Sequence, residues 1–178
     1  MIKLLDLLKE DSPFVPRGSK EEREKERNRI VQNKIQEYVK NGMEGDLDLF
    51  ETPITSLPSN LTKVGGDLDL FDTPITSLPP NLTKVTGNLD LNYTYIDKLP
   101  NNLTVGGDLV LYGTPITSLP DNLTVEGNLS LIGTKIKSLP SDLTVRGSLH
   151  LNDTPLSKKY SEDEIRVMIP NVEGEIFM

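Results

Sequence analysis

Residues 45–64 read GDLDLFETPITSLPSNLTKV, and the chain then repeats this pattern. The first leucine of the pattern recurs with spacings of 20 or 21 residues, at Leu47, Leu68, Leu89, Leu109, Leu129 and Leu149. A short, nearly constant period is typical of a solenoid, in which each repeat packs only against its neighbours. We therefore predict six stacked repeats over residues 45–156.

Apolar residues occupy fixed positions within each repeat. The L-x-L segment alternates apolar and other residues, which indicates a short strand with every second side chain inward. Two further inward columns follow from the same period: Leu49, Leu70, Leu91, Leu111, Leu131 and Leu151, and Ile54, Ile75, Ile96, Ile116, Ile136 and Leu156. The segment that returns to the next strand contains proline, so we expect it to be extended rather than helical. The repeats therefore predict a curved parallel sheet with an extended, polyproline-like second side.

Two other repeated positions have structural interpretations. A threonine lies between two inward positions, where its hydroxyl can bond to backbone groups as the chain turns away from the strand. It recurs at Thr52, Thr73, Thr94, Thr114, Thr134 and Thr154. A glycine before each later strand predicts a tight corner, at Gly66, Gly87, Gly107, Gly127 and Gly147.

Residues 1–44 are predicted to form a helical cap over the first repeat. Residues 2–8 (IKLLDLL) favour a short helix, and Ser19 followed by Glu22 is a capping box that begins a second one. Gly42 is placed to end this second helix. An apolar stripe at helical spacing comprises Ile30, Val31, Ile35, Tyr38 and Val39. Because a repeat stack has an apolar end that must be covered, we assign this stripe to the cap.

Residues 157–178 are predicted to close the other end of the stack. Ser161 and Glu164 form a second capping box, which indicates a short helix that ends at Pro170. The last residues, 172–178 (VEGEIFM), match residues 125–131 (VEGNLSL) position for position. We therefore expect a seventh strand, with Ile176 and Met178 pointing inward.

The repeat L-x-L-x-x-T-x-I-x-x-L-P resembles the leucine-rich repeat, with threonine where most families have asparagine. The short period and the L-P step resemble the subclass found in bacterial effector proteins, and the whole pattern is most similar to leucine-rich-repeat proteins encoded by bacteriophages. The resemblance implies a solenoid whose sheet is concave, and a partner in the host cell such as a defence factor. Effectors of this class that act as ubiquitin ligases need a cysteine, which this chain lacks.

Composition and charge exclude several functions. Without cysteine, the chain has no disulfide framework, thiolate metal site or thiol nucleophile. The net charge is −8, and residues 45–156 carry thirteen acidic and six basic side chains. This balance disfavours nucleic acid, whose phosphates need lysine and arginine. No segment is long enough for a signal peptide or a membrane span, so we expect a soluble, cytoplasmic protein, in the host cytoplasm if phage-encoded.

The outward positions of the strands carry the candidate binding site. Neighbouring strands lie about 4.8 Å apart, so rows of aspartates place like charges close together, which costs stability. Exposed aromatic residues beside them add nothing to a core, and both departures favour a binding surface. The predicted binding residues are Asp46, Asp48, Phe50, Asp67, Asp69, Phe71, Asp90, Tyr93, Asp108 and Tyr112. We expect them to hold another protein with a basic surface, with this chain a monomer that needs no cofactor.

Other interpretations of the same residues stay open. Aspartate suits this corner of a repeat, and the acidic surface also keeps a stacked sheet soluble. A structural component of a larger particle is the alternative function, which predicts self-association through ends or edges. Rows of aspartate could also bind Ca²⁺ weakly. Catalysis has the least support: the neighbours of the single histidine, His150, in its column are Ser130 and Val110, and no nucleophile–base pair can be named.

Overall fold

A computed structural model describes residues 19–178. The predicted helix over residues 2–8 lies outside these described residues. Residues 19–178 form two helices and twelve strands of two residues each, in the following order. They are α1 (Lys20–Lys40), β1 (Leu47–Asp48), β2 (Lys63–Val64), β3 (Leu68–Asp69), β4 (Lys84–Val85), β5 (Leu89–Asp90), β6 (Thr104–Val105), β7 (Leu109–Val110), β8 (Thr124–Val125), β9 (Leu129–Ser130), β10 (Thr144–Val145), β11 (Leu149–His150), α2 (Glu162–Met168) and β12 (Ile176–Phe177).

The predicted parallel sheet is confirmed. Its seven strands have the order β1-β3-β5-β7-β9-β11-β12, and all pairs are parallel. Leu47 pairs with Leu68 and Leu68 with Leu89, so equivalent residues lie side by side. The chain is therefore a leucine-rich-repeat-like solenoid, in which one strand is added to this sheet by each turn.

The return side of the solenoid is extended and without helix between residues 49 and 153, as expected. Part of this extended path also forms a second parallel sheet, which was not predicted. This sheet has five strands in the order β10-β8-β6-β4-β2, and Val145 adds a bridge to Val172. The prediction missed it because a two-residue strand is too short to show alternation.

The apolar columns form one continuous core between the two sheets. The two leucine columns, the isoleucine column and the valines of the second sheet are all buried, from Leu47 to Val145. The threonine column is buried as well, and each hydroxyl donates a hydrogen bond of 2.7–2.8 Å to the carbonyl oxygen three residues earlier. The structural interpretation of these threonines is therefore confirmed.

Both ends of the stack are covered as predicted. Ser19 and Glu22 form the capping box of α1, and Val31 and Ile35 of this helix are buried in the common core. At the other end, Ser161 and Glu164 cap α2, and Ile176 of β12 is buried against β11. Met178 packs partly against the same core.

Tyr38 fastens α1 to the first repeats. Its hydroxyl donates to the carbonyl oxygen of Gly45 (2.8 Å) and accepts from the backbone N–H of Gly65 (3.2 Å). One side chain thus joins the helix to the start of two successive repeats. Between residues 19 and 178, neither helix has the length and apolar character that crossing a membrane requires.

Candidate functional site

The first outward column forms a hydrogen-bonded ladder. In each step, a side-chain Oδ1 accepts the backbone N–H of the equivalent residue in the next repeat, at 2.6–2.9 Å. The Asx ladder consists of Asp46, Asp67, Asn88, Asp108 and Asn128, and it ends on Ser148. Because the side chains of aspartate and asparagine both have an Oδ1 that can accept this bond, either residue can occupy the position. Three of the predicted binding residues, Asp46, Asp67 and Asp108, thus have a structural reason to be acidic or amidic.

The repeated glycine makes room for this ladder. A Cβ on Gly66 would lie 2.0 Å from Oδ1 of Asp46, and one on Gly87 would lie 2.0 Å from Oδ1 of Asp67. Neither glycine has a positive φ, so close approach, rather than an unusual backbone conformation, explains it. The corner is therefore built from a glycine and the Asx oxygen of the previous repeat together.

The second outward column begins with three aspartates in register. We call Asp48, Asp69 and Asp90 the carboxylate row, because β1 pairs Asp48 with Asp69 and β3 pairs Asp69 with Asp90. Each Oδ1 accepts the backbone N–H two residues later, at 3.4, 2.9 and 2.9 Å. Each of these bonds lies within a single repeat, so, unlike the bonds of the Asx ladder, none of them joins one repeat to the next.

The carboxylate row holds its charges at a cost. Burial raises the pKa of Asp69, and the nearby charges of Asp90, Asp48 and Asp67 raise it further, against the hydrogen bond from Phe71. Burial likewise raises the pKa of Asp90, which the bond from Asn92 partly offsets. None of the salt bridges within residues 19–178 includes a member of the row. A cation brought to this row would therefore relieve an unfavourable arrangement.

Aromatic rings continue the row of outward residues. Phe71 meets Tyr93 edge to face, with ring centroids 5.5 Å apart, and Tyr93 meets Tyr112 in the same way at 5.2 Å. We call these three residues the aromatic row. Tyr93 is 50% exposed and Tyr112 is 42% exposed. Phe50 is half-buried, and none of the ring pairs in the described part of the chain includes it.

Tyr93 stands in a backbone position that suits it poorly. The third residue after each strand of repeats one to six has a positive φ, between 50° and 75°. The six residues are Glu51, Asp72, Tyr93, Gly113, Gly133 and Asp153. A bulky aromatic residue is rarely found in this left-handed region, where glycine, asparagine and aspartate are favoured. The solenoid thus carries Tyr93 at some cost to its stability.

The structure sorts the ten predicted residues into three groups. Three belong to the Asx ladder, three form the carboxylate row and three form the aromatic row, while Phe50 stands next to the row's first aspartate. Among the exposed aromatic residues that the prediction missed, Tyr95 has the largest exposed fraction, 65%. Its signal in the sequence is a break in a proline column, since four of the other five repeats have proline there, at Pro53, Pro74, Pro115 and Pro155.

The lone histidine lies at the far end of the same sheet. His150 stacks on Phe177, with ring centroids 4.6 Å apart and planes inclined by 12°. Within residues 19–178, no three side chains of histidine, aspartate or glutamate are arranged to hold a metal ion.

Comparison with known proteins adds no relative. No protein-family model matches this chain, and no curated protein matches its sequence. What the chain itself shows is a repeat protein: a solenoid of stacked parallel strands with turns of 20 or 21 residues.

Proposed function

We propose that this protein is a non-enzymatic binding module that holds a basic surface of another protein on the outward face of its seven-stranded sheet. The carboxylate row is the observation that carries the proposal. Its three aspartates are in register on adjacent strands and partly buried, and no salt bridge within residues 19–178 neutralises them. The core does not require them, because the Asx ladder already joins the repeats.

The aromatic row supports the same proposal. Tyrosine and phenylalanine supply much of the binding energy in protein interfaces, and charged pairs beside them provide specificity. Here the rings of Phe71, Tyr93 and Tyr112 lie at the ends of the strands that carry or follow the carboxylate row. A lysine or arginine of a partner could pair with the row while its aliphatic stem packs on these rings.

The resemblance to phage-encoded leucine-rich-repeat proteins supports a narrower form of the proposal. In that form the partner is a protein of the host cell, such as a defence factor, and the module modulates or inhibits it. The charge of the chain agrees with a basic partner, because residues 45–156 have thirteen acidic and only six basic side chains. Electrostatic attraction of this kind speeds association and selects against acidic partners.

The test is a selection of binding peptides from a random library displayed on yeast. The wild-type protein is compared with a variant that carries Asp48→Asn, Asp69→Asn and Asp90→Asn together, in which each Oδ1 acceptor is kept. A matched control carries Asp97→Asn, Asp121→Asn and Asp142→Asn. It removes an equal number of negative charges, but at exposed positions outside the sheet face.

We expect basic peptides to be enriched on the wild type and on the control, and to lose at least tenfold in affinity on the row variant. Tenfold corresponds to about 1.4 kcal/mol, which is small for a charged contact in an interface. Enriched peptides that bind the row variant as well as the wild type would show that the site lies elsewhere.

A further inference from the structure

A second surface lies beside the sheet face, where the repeats depart most from their own pattern. It is a cleft of about 520 Å³ that runs along the strand ends from the second to the fifth repeat. We call it the tyrosine cleft, and its lining includes Tyr93, Tyr95, Gly113, Pro115 and Gly133. Asp72 and Lys135 also line it, and they belong to the first and last of these four repeats.

Missing side chains create the floor of the cleft. At the left-handed position of the repeat, the fourth and fifth repeats have Gly113 and Gly133, whereas the third has Tyr93. A Cβ on Gly113 would lie 3.0 Å from Cδ1 of Tyr93, so the tyrosine ring leans over the glycine. At three equivalent positions, the Tyr93 side chain thus forms one wall of the cleft, and the two glycines leave open space beside it.

A second tyrosine, Tyr95, lines the cleft together with Tyr93. Tyr93 and Tyr95 flank Thr94, which is buried and donates its hydroxyl hydrogen to the carbonyl of Leu91. Both tyrosines are at least half exposed, at 50% and 65%. Because neither ring contributes to the core and both interrupt the repeat, their presence is explained better by a ligand than by folding.

The charges of the cleft are unlike those of the sheet face. An acidic side chain, Asp72, stands in the second repeat and a basic one, Lys135, in the fifth, and neither takes part in a salt bridge within residues 19–178. Three strand spacings, about 14 Å in all, separate the two repeats, and Lys135 lies two positions further along its repeat than Asp72 does. A complementary ligand therefore needs a cation and an anion at about this separation, with a slender apolar segment between them.

We propose that the tyrosine cleft binds an extended, proline-containing segment of a protein partner, with a basic residue toward Asp72 and an acidic residue toward Lys135. Proline-rich segments dock in aromatic-lined grooves because their polyproline II conformation is already formed and loses little entropy on binding. That conformation rises about 3.1 Å per residue, so a separation of five residues spans about 15 Å. This length matches the spacing of the two repeats that carry Asp72 and Lys135.

The inference rests on the proposed function only in that its occupant is part of a protein. The tyrosine cleft adjoins the sheet face and shares Tyr93 with the aromatic row, but it contains no member of the carboxylate row and its chemistry is different. The probe is a hexapeptide that begins with arginine, ends with glutamate and has three prolines and a leucine between them. A second peptide with alanine in place of each proline keeps both charges and loses the preformed conformation.

Titration of the ¹⁵N-labelled full chain, followed by NMR, measures both affinity and position. We expect the amide signals of Gly113 and Gly133 to shift with the proline peptide, and its affinity to exceed that of the alanine peptide at least fivefold. Tyr95→Ala keeps the backbone N–H that donates to the carbonyl of Ile75 (3.0 Å), and Tyr93→Gly restores the residue found at Gly113 and Gly133. Each should weaken binding at least tenfold, whereas Tyr95→Phe, which keeps the ring, should leave it within twofold.

Several outcomes would overturn the inference. They are the absence of shifts at the two glycines, equal affinity for the two peptides, or unchanged binding by Tyr95→Ala. Shifts produced by a neutral oligosaccharide such as cellohexaose, and not by the peptide, would assign the cleft to carbohydrate instead. The variant that lacks the carboxylate row should still bind the proline peptide, so failure here and failure of the proposed function are distinguishable.

Discussion

At the scale of single residues, the repeated threonine shows how a polar side chain can be part of the core. Thr114 is buried, and its hydroxyl and its backbone N–H both donate to the carbonyl oxygen of Leu111, at 2.8 and 3.2 Å. The buried hydroxyl therefore has a hydrogen-bond partner at the point where the chain leaves the strand. A threonine predicted only from its periodicity is thus a structural residue with a definite partner.

Replacing this hydroxyl should destabilise the protein measurably. For Thr114→Val we expect the free energy of unfolding to fall by about 1–2 kcal/mol, because a buried hydrogen bond is lost while the shape is nearly kept. Thr117→Val in the same repeat is the control, since Thr117 is exposed and should change by less than about 0.5 kcal/mol. Urea denaturation measures both. Equal effects of the two substitutions would contradict the structural role of the column.

Aspartates of one repeat differ in function although the sequence makes them look alike. Asp67 and Asp69 are two residues apart and both point outward, yet Oδ1 of Asp67 accepts from the next repeat and that of Asp69 accepts within its own. Only the structure separates the Asx ladder from the carboxylate row. The sequence could therefore predict an acidic face but could not predict which of its residues the fold already uses.

The carboxylate row should make stability depend on pH in a defined direction. The raised pKa of Asp69 means that the folded protein binds a proton more readily than the unfolded chain, whose ordinary value is 3.8. The contribution of this group to stability is fully present below pH 3.8 and is lost as the pH rises through the raised pKa. Asp69→Asn is neutral at every pH and keeps an acceptor for the N–H of Phe71.

We therefore expect Asp69→Asn to melt at a higher temperature than the wild type at pH 7. The difference should shrink as the pH falls and be lost below pH 3.8, where both side chains are neutral. Asp121→Asn, at an exposed position, is the control and should show no such trend. A lower melting temperature for Asp69→Asn at pH 7 would mean that the carboxylate stabilises the fold.

At the scale of elements, the last strand closes the sheet through both hydrogen bonds and burial. The N–H groups of Leu149 and Leu151 donate to the carbonyl oxygens of Glu175 (2.8 Å) and Phe177 (2.7 Å). Ile176 and Val172 are buried at the same end. The likeness of residues 172–178 to residues 125–131 was sufficient to predict this strand, because both are instances of one repeat.

Removing residues 171–178 should expose the sheet edge and the side of the core next to it. Unpaired strand edges associate with other chains, so we expect the shortened protein to have a higher average mass by light scattering than the full chain. Ile176→Ala is a less severe change at the same end. It should lower the free energy of unfolding by about 2–4 kcal/mol because of the cavity that it leaves, and the average mass by light scattering should stay unchanged. A shortened chain that stays folded with unchanged mass would show that the last strand is dispensable.

At the scale of the whole molecule, the sequence predicts the solenoid but only part of its surface chemistry. Repetition places each leucine beside its equivalent, so the seven-stranded sheet and both capped ends follow directly. The second sheet does not follow, because pairs such as Lys63–Val64 are too short to carry a pattern. The tyrosine cleft was also missed, since Tyr95, Gly113 and Lys135 come together only when three repeats are stacked.

The solenoid separates residues that stabilise the stack from residues that do not. The buried columns and the Asx ladder recur in nearly every repeat, whereas the carboxylate row ends at Asp90 and the aromatic row spans only part of the sheet. In the proposed function, the side chains that interrupt the repeating pattern at a cost in stability form the binding surface. We propose that the carboxylate row is of the second kind, so that its aspartates serve binding and do not stabilise the stack.

Two quantities, measured on the variant that carries Asp48→Asn, Asp69→Asn and Asp90→Asn, distinguish a role in binding from a role in stability. They are the affinity for a selected basic peptide and the free energy of unfolding at pH 7. If the row serves binding at the expense of stability, the variant binds at least tenfold more weakly than the wild type and unfolds at a higher urea concentration. A variant that binds equally well and unfolds at a lower urea concentration would show that the row serves the fold.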